Sequence, residues 1–286
     1  MPVTPDLHGQ AAVVTGATGG IGLWTALGLA RMGAEVTVVG RSRERAEAAV
    51  RFIAERTGKP QPAIELADFA SLAQVRDLGA RLRRRHPALR LLVNNAGFAS
   101  MERQLSADGY ELTFAVNHLA PFLLTELLLP SLRAGAPARI VTVASTAHIG
   151  SRIAFDDLMA TRRYGARSAY GQSKLANILF TLELSRRLEG SGVVANSVHP
   201  GVVDTGFGAN LRGLLGMAWK LATPFLLTAE QGAATTLHVA AAPELAAVTG
   251  KYFARSRPVA PSPAARDAVA ASRLWQDSEA LVAAAA

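Results

Sequence analysis

The chain has 286 residues, half of them hydrophobic and 18% charged, which excludes a disordered polymer and suffices for one large buried core or two smaller ones. It contains no cysteine, so disulfides, thiolate nucleophiles and cysteine-ligated metals are excluded, and no metal site is expected. The net charge of +8 would favour an anionic ligand without identifying one.

In chain order, Met1–Gln10 has neither the basic nor the apolar region of a secretory leader. Ala11–Thr15 (AAVVT) reads as the first strand and Gly20–Met32 as the first helix. Glu35–Val39, Ala63–Leu66, Leu89–Asn94, Ala138–Ser145 and Val193–His199 are further short β-branched runs. Helical patterns at Ser42–Thr57, Ser71–Arg85, Gly109–Arg133 and Ala166–Glu189 fill the gaps between them. The one tight basic run, Arg81–Arg85, follows Leu72, Val75, Leu78 and Leu82, so it is read as the wet face of a helix; no nucleic-acid motif accompanies it. The longest apolar stretches, Ala120–Leu129 and Ala233–Ala242, fall short of the roughly 20 residues a bilayer requires. A cytoplasmic protein with no membrane span and no nucleic-acid partner is the expectation.

Nearly continuous apolar strands alternating with helices predict an α/β fold: one Rossmann-type, doubly wound sheet of about seven mainly parallel strands, with helices on both faces. No repeat or linker divides the chain, so residues 1–286 are expected to be a single domain. The apolar, glycine-containing stretch from Thr205, extended to about residue 235, is either a cover over a site or a packed excursion.

The first strand runs into Thr15-Gly16-Ala17-Thr18-Gly19-Gly20-Ile21-Gly22 and then a helix. Glycines there let the backbone approach a pyrophosphate, and the helix start supplies N–H donors and a positive dipole end. Gly16, Thr18, Gly19, Gly20, Ile21 and Gly22 are therefore candidate dinucleotide contacts. At the end of the second strand, Arg41 and Arg43 stand where an NAD site would carry a carboxylate. Guanidinium forks suit a 2′-phosphate, so NADP(H) is favoured over NAD(H). Asp68, with Phe69 beside it, either bonds the adenine amino group or caps the next helix. Asn94, Ala96 and Gly97 end the fourth strand beside the expected cofactor.

Tyr170 and Lys174 lie one helical turn apart. With four tyrosines and four lysines in the chain, chance supplies about 0.06 such pairs, so the spacing carries weight. A nearby ammonium would favour the phenolate and draw its pKa down towards the working range. Ser145 ends the fifth strand, where such sheets form ligand crevices, and Asn117 sits mid-helix against its propensity.

Together these residues resemble the classical short-chain dehydrogenase/reductase family over nearly the whole chain. The elements are the Thr15–Gly22 turn, Asn94–Gly97, Asn117, Ser145, the Tyr170/Lys174 pair and His199-Pro200-Gly201. Val116–Phe122, Ser168–Phe180, Asn196–Thr205, Gly250–Phe253 and Leu274-Trp275 are more particularly similar to its retinol dehydrogenase-like branch. The resemblance implies an NADP(H)-dependent, metal-free oxidoreductase moving hydride between nicotinamide and a carbonyl or alcohol of a hydrophobic small molecule. It implies Tyr170 as acid or base, Lys174 as its electrostatic partner and ribose ligand, Ser145 as orienter of the reacting oxygen, and Asn117 as anchor of a relay water. Pro200, Gly201, Val203 and Thr205 would line the nicotinamide side. Reduction of a C=C bond, as in protochlorophyllide reductase-like relatives, is the alternative, and a silent NADP-binding sensor a lesser one. In the family, paired Asn117- and Tyr170-bearing helices often build a homodimer or homotetramer, beside relatives that are monomers.

Overall fold

The computed structural model describes residues 5–201 and 227–285. The alternation of the first strand explains the layering. In β1 (Ala11–Thr15) every residue is buried, with Val13 packing into one core and its neighbours Ala12 and Val14 into another on the opposite face. The same division recurs in β2 (Glu35–Gly40), β4 (Leu91–Asn94), β5 (Ala138–Val143) and β6 (Val193–His199), while the edge strand β3 (Ala63–Leu66) gives only Ile64, to the second core. These strands need covering on both sides, and the intervening helices supply it.

Helices α1 (Gly20–Arg31) and α2 (Arg43–Thr57) lie over one face, which buries Leu27, Val50 and Ile53. The other face receives α3 (Leu72–Arg85), a single turn α4 (Leu112–Phe114), α5 (Ala120–Ala134) and α6 (Ala166–Arg187). Local sequence sets the ends. Ser42 and Ser71 cap α2 and α3 through their side chains, and Gly58 ends α2 in the left-handed region at φ 65°. The basic run of α3 is in part ion-paired: Arg81 Nε lies 2.7 Å and Arg85 Nε 3.4 Å from Glu65. Leu112–Ala134 taken together is long and apolar enough to cross a membrane, but 72% of its 18-residue apolar window is buried inside the domain. Its apolar surface belongs to the core.

Among the described residues eight strands form one sheet, in the order β3-β2-β1-β4-β5-β6-β7-β8. The first seven are parallel, and β8 (Arg257–Pro258) returns antiparallel on β7 (Tyr252–Ala254). The hairpin between them turns on Arg255 and Ser256, at φ 51° and 57°, with no glycine. The expected strand count was about seven; the extra strand is this two-residue return. The order reverses between β1 and β4, which opens a crevice at their carboxyl ends.

Among the described residues, two further helices complete the fold. Helix α7 (Ala229–Ala241) starts with a Thr228/Gln231 capping box and packs beside α1. The last part of the expected covering segment is thus helix, while 205–226 lies outside the described residues. Helix α8 (Ala268–Ala284) lies against α6 and the start of α5, with Trp275 stacked on Phe180 at 5.8 Å and edge-on to Phe122 at 4.9 Å. The helices bearing Asn117 and Tyr170 are therefore covered, over Phe122 and Phe180, by the chain's own C-terminal helix.

Candidate active site

A cleft of about 540 Å³ runs along the carboxyl ends of β1, β4, β5 and β6. Its floor is the Thr15–Gly22 turn, and two glycines there are obligatory. A Cβ on Gly16, at φ 65°, would lie 2.8 Å from Ala96 Cα; one on Gly22 would lie 2.3 Å from Gly16 O and from Asn95 Nδ2. Thr15 Oγ1 accepts hydrogen bonds from the N–H groups of Asn95 and Ala96, both at 3.0 Å, while Asn95 Nδ2 donates to Thr15 O at 2.8 Å. These bonds lock the first and fourth strand ends together. The start of α1 carries no side-chain cap and no acidic residue in its first turn. Backbone N–H groups there are left for an anion.

Arg41 and Arg45 both line this end of the cleft. Arg43 does not: it lies 3.9 Å from Glu47 with 71% of its side chain exposed. Asp68 and Phe69 are on the wall, and Asp68 Oδ1 accepts from Ala70 N at 3.0 Å. Asn94 is turned away, donating to Thr125 Oγ1 at 2.9 Å, and its neighbour Asn95 faces the cleft instead. The donor set, two cations beside an uncapped helix start and a glycine floor, fits a dinucleotide carrying an additional phosphate.

At the other end Ser145, Tyr170 and Lys174 converge. Ser145 is the extended residue ahead of the short helical turn Thr146–His148, and its Oγ accepts from Ala147 N at 3.2 Å. That leaves the hydroxyl to share a hydrogen bond with Tyr170. Burial pushes the Tyr170 phenol above its ordinary value, and the Ser145 bond offsets this only in part. Lys174 is 3% exposed, donates to Val143 O at 3.1 Å and sits 5.6 Å from the Tyr170 ring centre. Burial draws its pKa from 10.5 down to about 8. The expected lowering of the tyrosine by the lysine is not seen in the protein alone: burial raises the phenol, and the one opposing influence is the Ser145 hydrogen bond.

Asn117 stands in a π-helical turn, Ala115–Leu119, where Ala120 N–H bonds five residues back to Ala115 O. Both ends of its side chain are engaged. Oδ1 accepts from Phe98 N at 2.7 Å, and Nδ2 donates to Phe98 O and to Ser173 Oγ, each at 2.9 Å. Pro121 has no N–H, so the Asn117 carbonyl lacks the donor an α-helix would bring to it.

Gly16, Thr18, Gly19, Gly20, Ile21, Gly22, Ala96, Gly97, Pro200 and Gly201 all line the cleft, whereas Val203 and Thr205 lie outside the described residues. Asn117 sits behind the wall as a support for Phe98, which lines it. Of the lining residues, Arg45 was not among those expected from the sequence, while Asn95 and His199 stood within the Asn94–Gly97 and His199-Pro200-Gly201 elements without a role of their own. Arg45 was signalled by its place in the first turn of α2, close behind Arg41, and His199 by its position closing β6.

A sequence model described as short chain dehydrogenase matches residues 10–213. Human retinol dehydrogenase 13 is 42% identical over 287 residues, covering 98% of this chain and 87% of that protein. Retinol dehydrogenase 12 of Mus musculus is 42% identical, covering 96% of this chain and 86% of its own. Among solved structures, a Mycobacterium Paratuberculosis protein superposes with TM-score 0.80 at 35% identity, covering 98% of this chain and 95% of that one. A short chain dehydrogenase from Burkholderia cenocepacia J2315 in complex with NADP superposes with TM-score 0.68 at 30% identity, covering 87% and 96%. The family match spans most of the chain and the relatives nearly all of it: the chain belongs to the short chain dehydrogenase family, on its retinol dehydrogenase-like branch, and is an oxidoreductase of alcohol and carbonyl groups.

Proposed function

We propose that this oxidoreductase uses NADP(H) and acts on the carbonyl or alcohol group of a hydrophobic small molecule. The observation that carries the reading is the convergence of Ser145, Tyr170 and Lys174 at one end of a cleft whose other end holds Arg41 and Arg45. Nicotinamide, when bound, supplies or accepts the hydride. The Tyr170 phenol, held neutral by burial, suits donation of its proton to a carbonyl oxygen, while the Ser145 hydroxyl orients that oxygen. Lys174, fixed on Val143 O, puts a positive charge behind the phenol as the proton leaves. The two arginines favour NADP(H) over NAD(H), and the NADP complex of the Burkholderia cenocepacia relative agrees with that choice.

The apolar wall formed by Phe98, Leu112 and Val116 supports a hydrophobic substrate, as do relatives named for retinol. A panel of aldehydes, ketones and hydrophobic alcohols, followed by NADPH and NADH absorbance in parallel, tests the reading. Turnover with NADPH exceeding that with NADH is expected, and Tyr170→Phe should lose at least about 100-fold in kcat. An inert panel, or a Tyr170→Phe variant as fast as the wild type, would overturn it.

A further inference from the structure

His148 is 1% exposed, and both of its ring nitrogens are engaged by partners whose roles are fixed by covalent structure. The backbone N–H of Ser262 points at Nε2 from 3.1 Å, and an amide N–H can only donate. Nε2 must therefore present its lone pair, and the ring proton must sit on Nδ1. Nδ1 lies 2.6 Å from the carbonyl oxygen of Ser145, which can only accept. The two contacts thus select one neutral tautomer, Nδ1–H, without any choice of hydrogen placement. Tyr252 packs edge-on against the ring at 5.1 Å and prevents it from rotating away.

The Ser145 carbonyl also receives the backbone N–H of His148 at 3.2 Å. Two donors from one residue consequently fix the peptide plane that follows Ser145 and the short turn it begins, and the Ala147 N–H of that turn holds the Ser145 hydroxyl at 3.2 Å on its side towards Tyr170. Resting on the role given to Ser145 above, we infer that His148 is a positioning residue for that hydroxyl, clamping the Ser145 carbonyl through Nδ1–H while the Ser262 backbone holds the imidazole in the tautomer the clamp requires. The segment after β8 is in this way tied to the reacting end of the cleft, although Ser262 itself does not line it.

Asparagine and glutamine separate the two ring nitrogens. His148→Asn sets an amide N–H near the Nδ1 position and keeps the donor to Ser145 O. His148→Gln reaches the Nε2 position, can accept from Ser262, and leaves Ser145 O without its side-chain donor, the backbone N–H alone remaining. In steady-state assays His148→Gln should lose about tenfold in kcat with the KM for NADPH unchanged, and His148→Asn should recover to within about threefold of the wild type. Equal kcat in His148→Gln and the wild type, or an equal loss in both variants, would overturn the clamp. Ser145→Ala in the same assay keeps the two readings apart. If Ser145→Ala is inactive while His148→Gln is as fast as the wild type, only the clamp fails; if Ser145→Ala is itself unimpaired, the role given to Ser145 fails. Nitrogen chemical shifts of the wild-type imidazole, assigned by the loss of its signals in His148→Asn, give a readout independent of variant folding. Protonated Nδ1 with bare Nε2 is expected, and the opposite tautomer would overturn the inference.

Discussion

Lys174 stands in the protein as a cation stripped of water and set on a backbone carbonyl. A fall from 10.5 to about 8 corresponds to roughly 3 kcal/mol against folding, at about 1.4 kcal/mol for each pH unit. The penalty is complete below about pH 8, where the amine is charged in both folded and unfolded chains. Between 8 and 10.5 the unfolded chain still binds the proton and the native one does not, so stability from this group rises with pH. Lys174→Met should therefore raise the melting temperature of the cofactor-free protein by a few degrees at pH 7, with a smaller gain at pH 10, while losing at least about 100-fold in turnover. Calorimetry at both pH values checks this, and a lower melting temperature at pH 7 would count against it. At this scale the sequence was informative about residue type and less so about direction. Tyr170/Lys174 could be read because helical spacing fixes which residues share a face. Asn94 and Asn95 are adjacent in a strand end, where neighbours face opposite ways, and only the register shows which one meets the cleft.

Helix α8 is held by aromatic packing and by bonds from distant parts of the chain. Trp275 stacks on Phe180, Arg187 covers its ring from 4.2 Å, and Ser278 Oγ meets His118 Nε2 at 2.8 Å. Tyr110 Oη donates to Leu281 O at 2.7 Å, and Arg76 donates to Val282 O. Trp275→Ala should cost about 3–5 kcal/mol, read as a lower urea midpoint; a change below about 1 kcal/mol would show that α8 is an ornament on the fold. The strand–helix alternation from β1 to β6 was legible because buried parallel strands carry continuous β-branched runs. The elements after residue 227 were not. Strand β7 has three residues, β8 has two, and the hairpin between them uses Arg255 and Ser256 where a sequence search looks for glycine or asparagine. The π-helical turn at Ala115–Leu119 was visible only as an asparagine in an unsuitable place, because its cause lies four residues on, at Pro121.

Across the whole molecule, burial holds four histidines in the neutral form. His86, His148 and His199 are shifted below the ordinary value chiefly by desolvation, and His118 falls to about 3. Below about pH 6.5 the unfolded chain takes up protons that the native chain refuses, so stability falls as the solution is acidified. His118 alone contributes a slope of up to about 1.4 kcal/mol per pH unit between 6.5 and 3. Urea midpoints measured at pH 7, 6 and 5 should decline, and less steeply in His118→Leu. Midpoints independent of pH over that range would refute the assignment.

The two cores on opposite faces of the sheet have a further consequence. The face under α1, α2 and α7 supports the glycine turn and the arginines, whereas the face under α3, α5, α6 and α8 supports Asn117, Tyr170 and Lys174. Among the described residues the buried apolar side chains of the two faces form separate clusters, with the strands between them. Substitutions on opposite faces should thus be nearly independent in their effects, as distant sites generally are. The half that grips the dinucleotide and the half that carries out the proton chemistry then meet chiefly at the cleft, so that core packing on one side can change with little effect on the other.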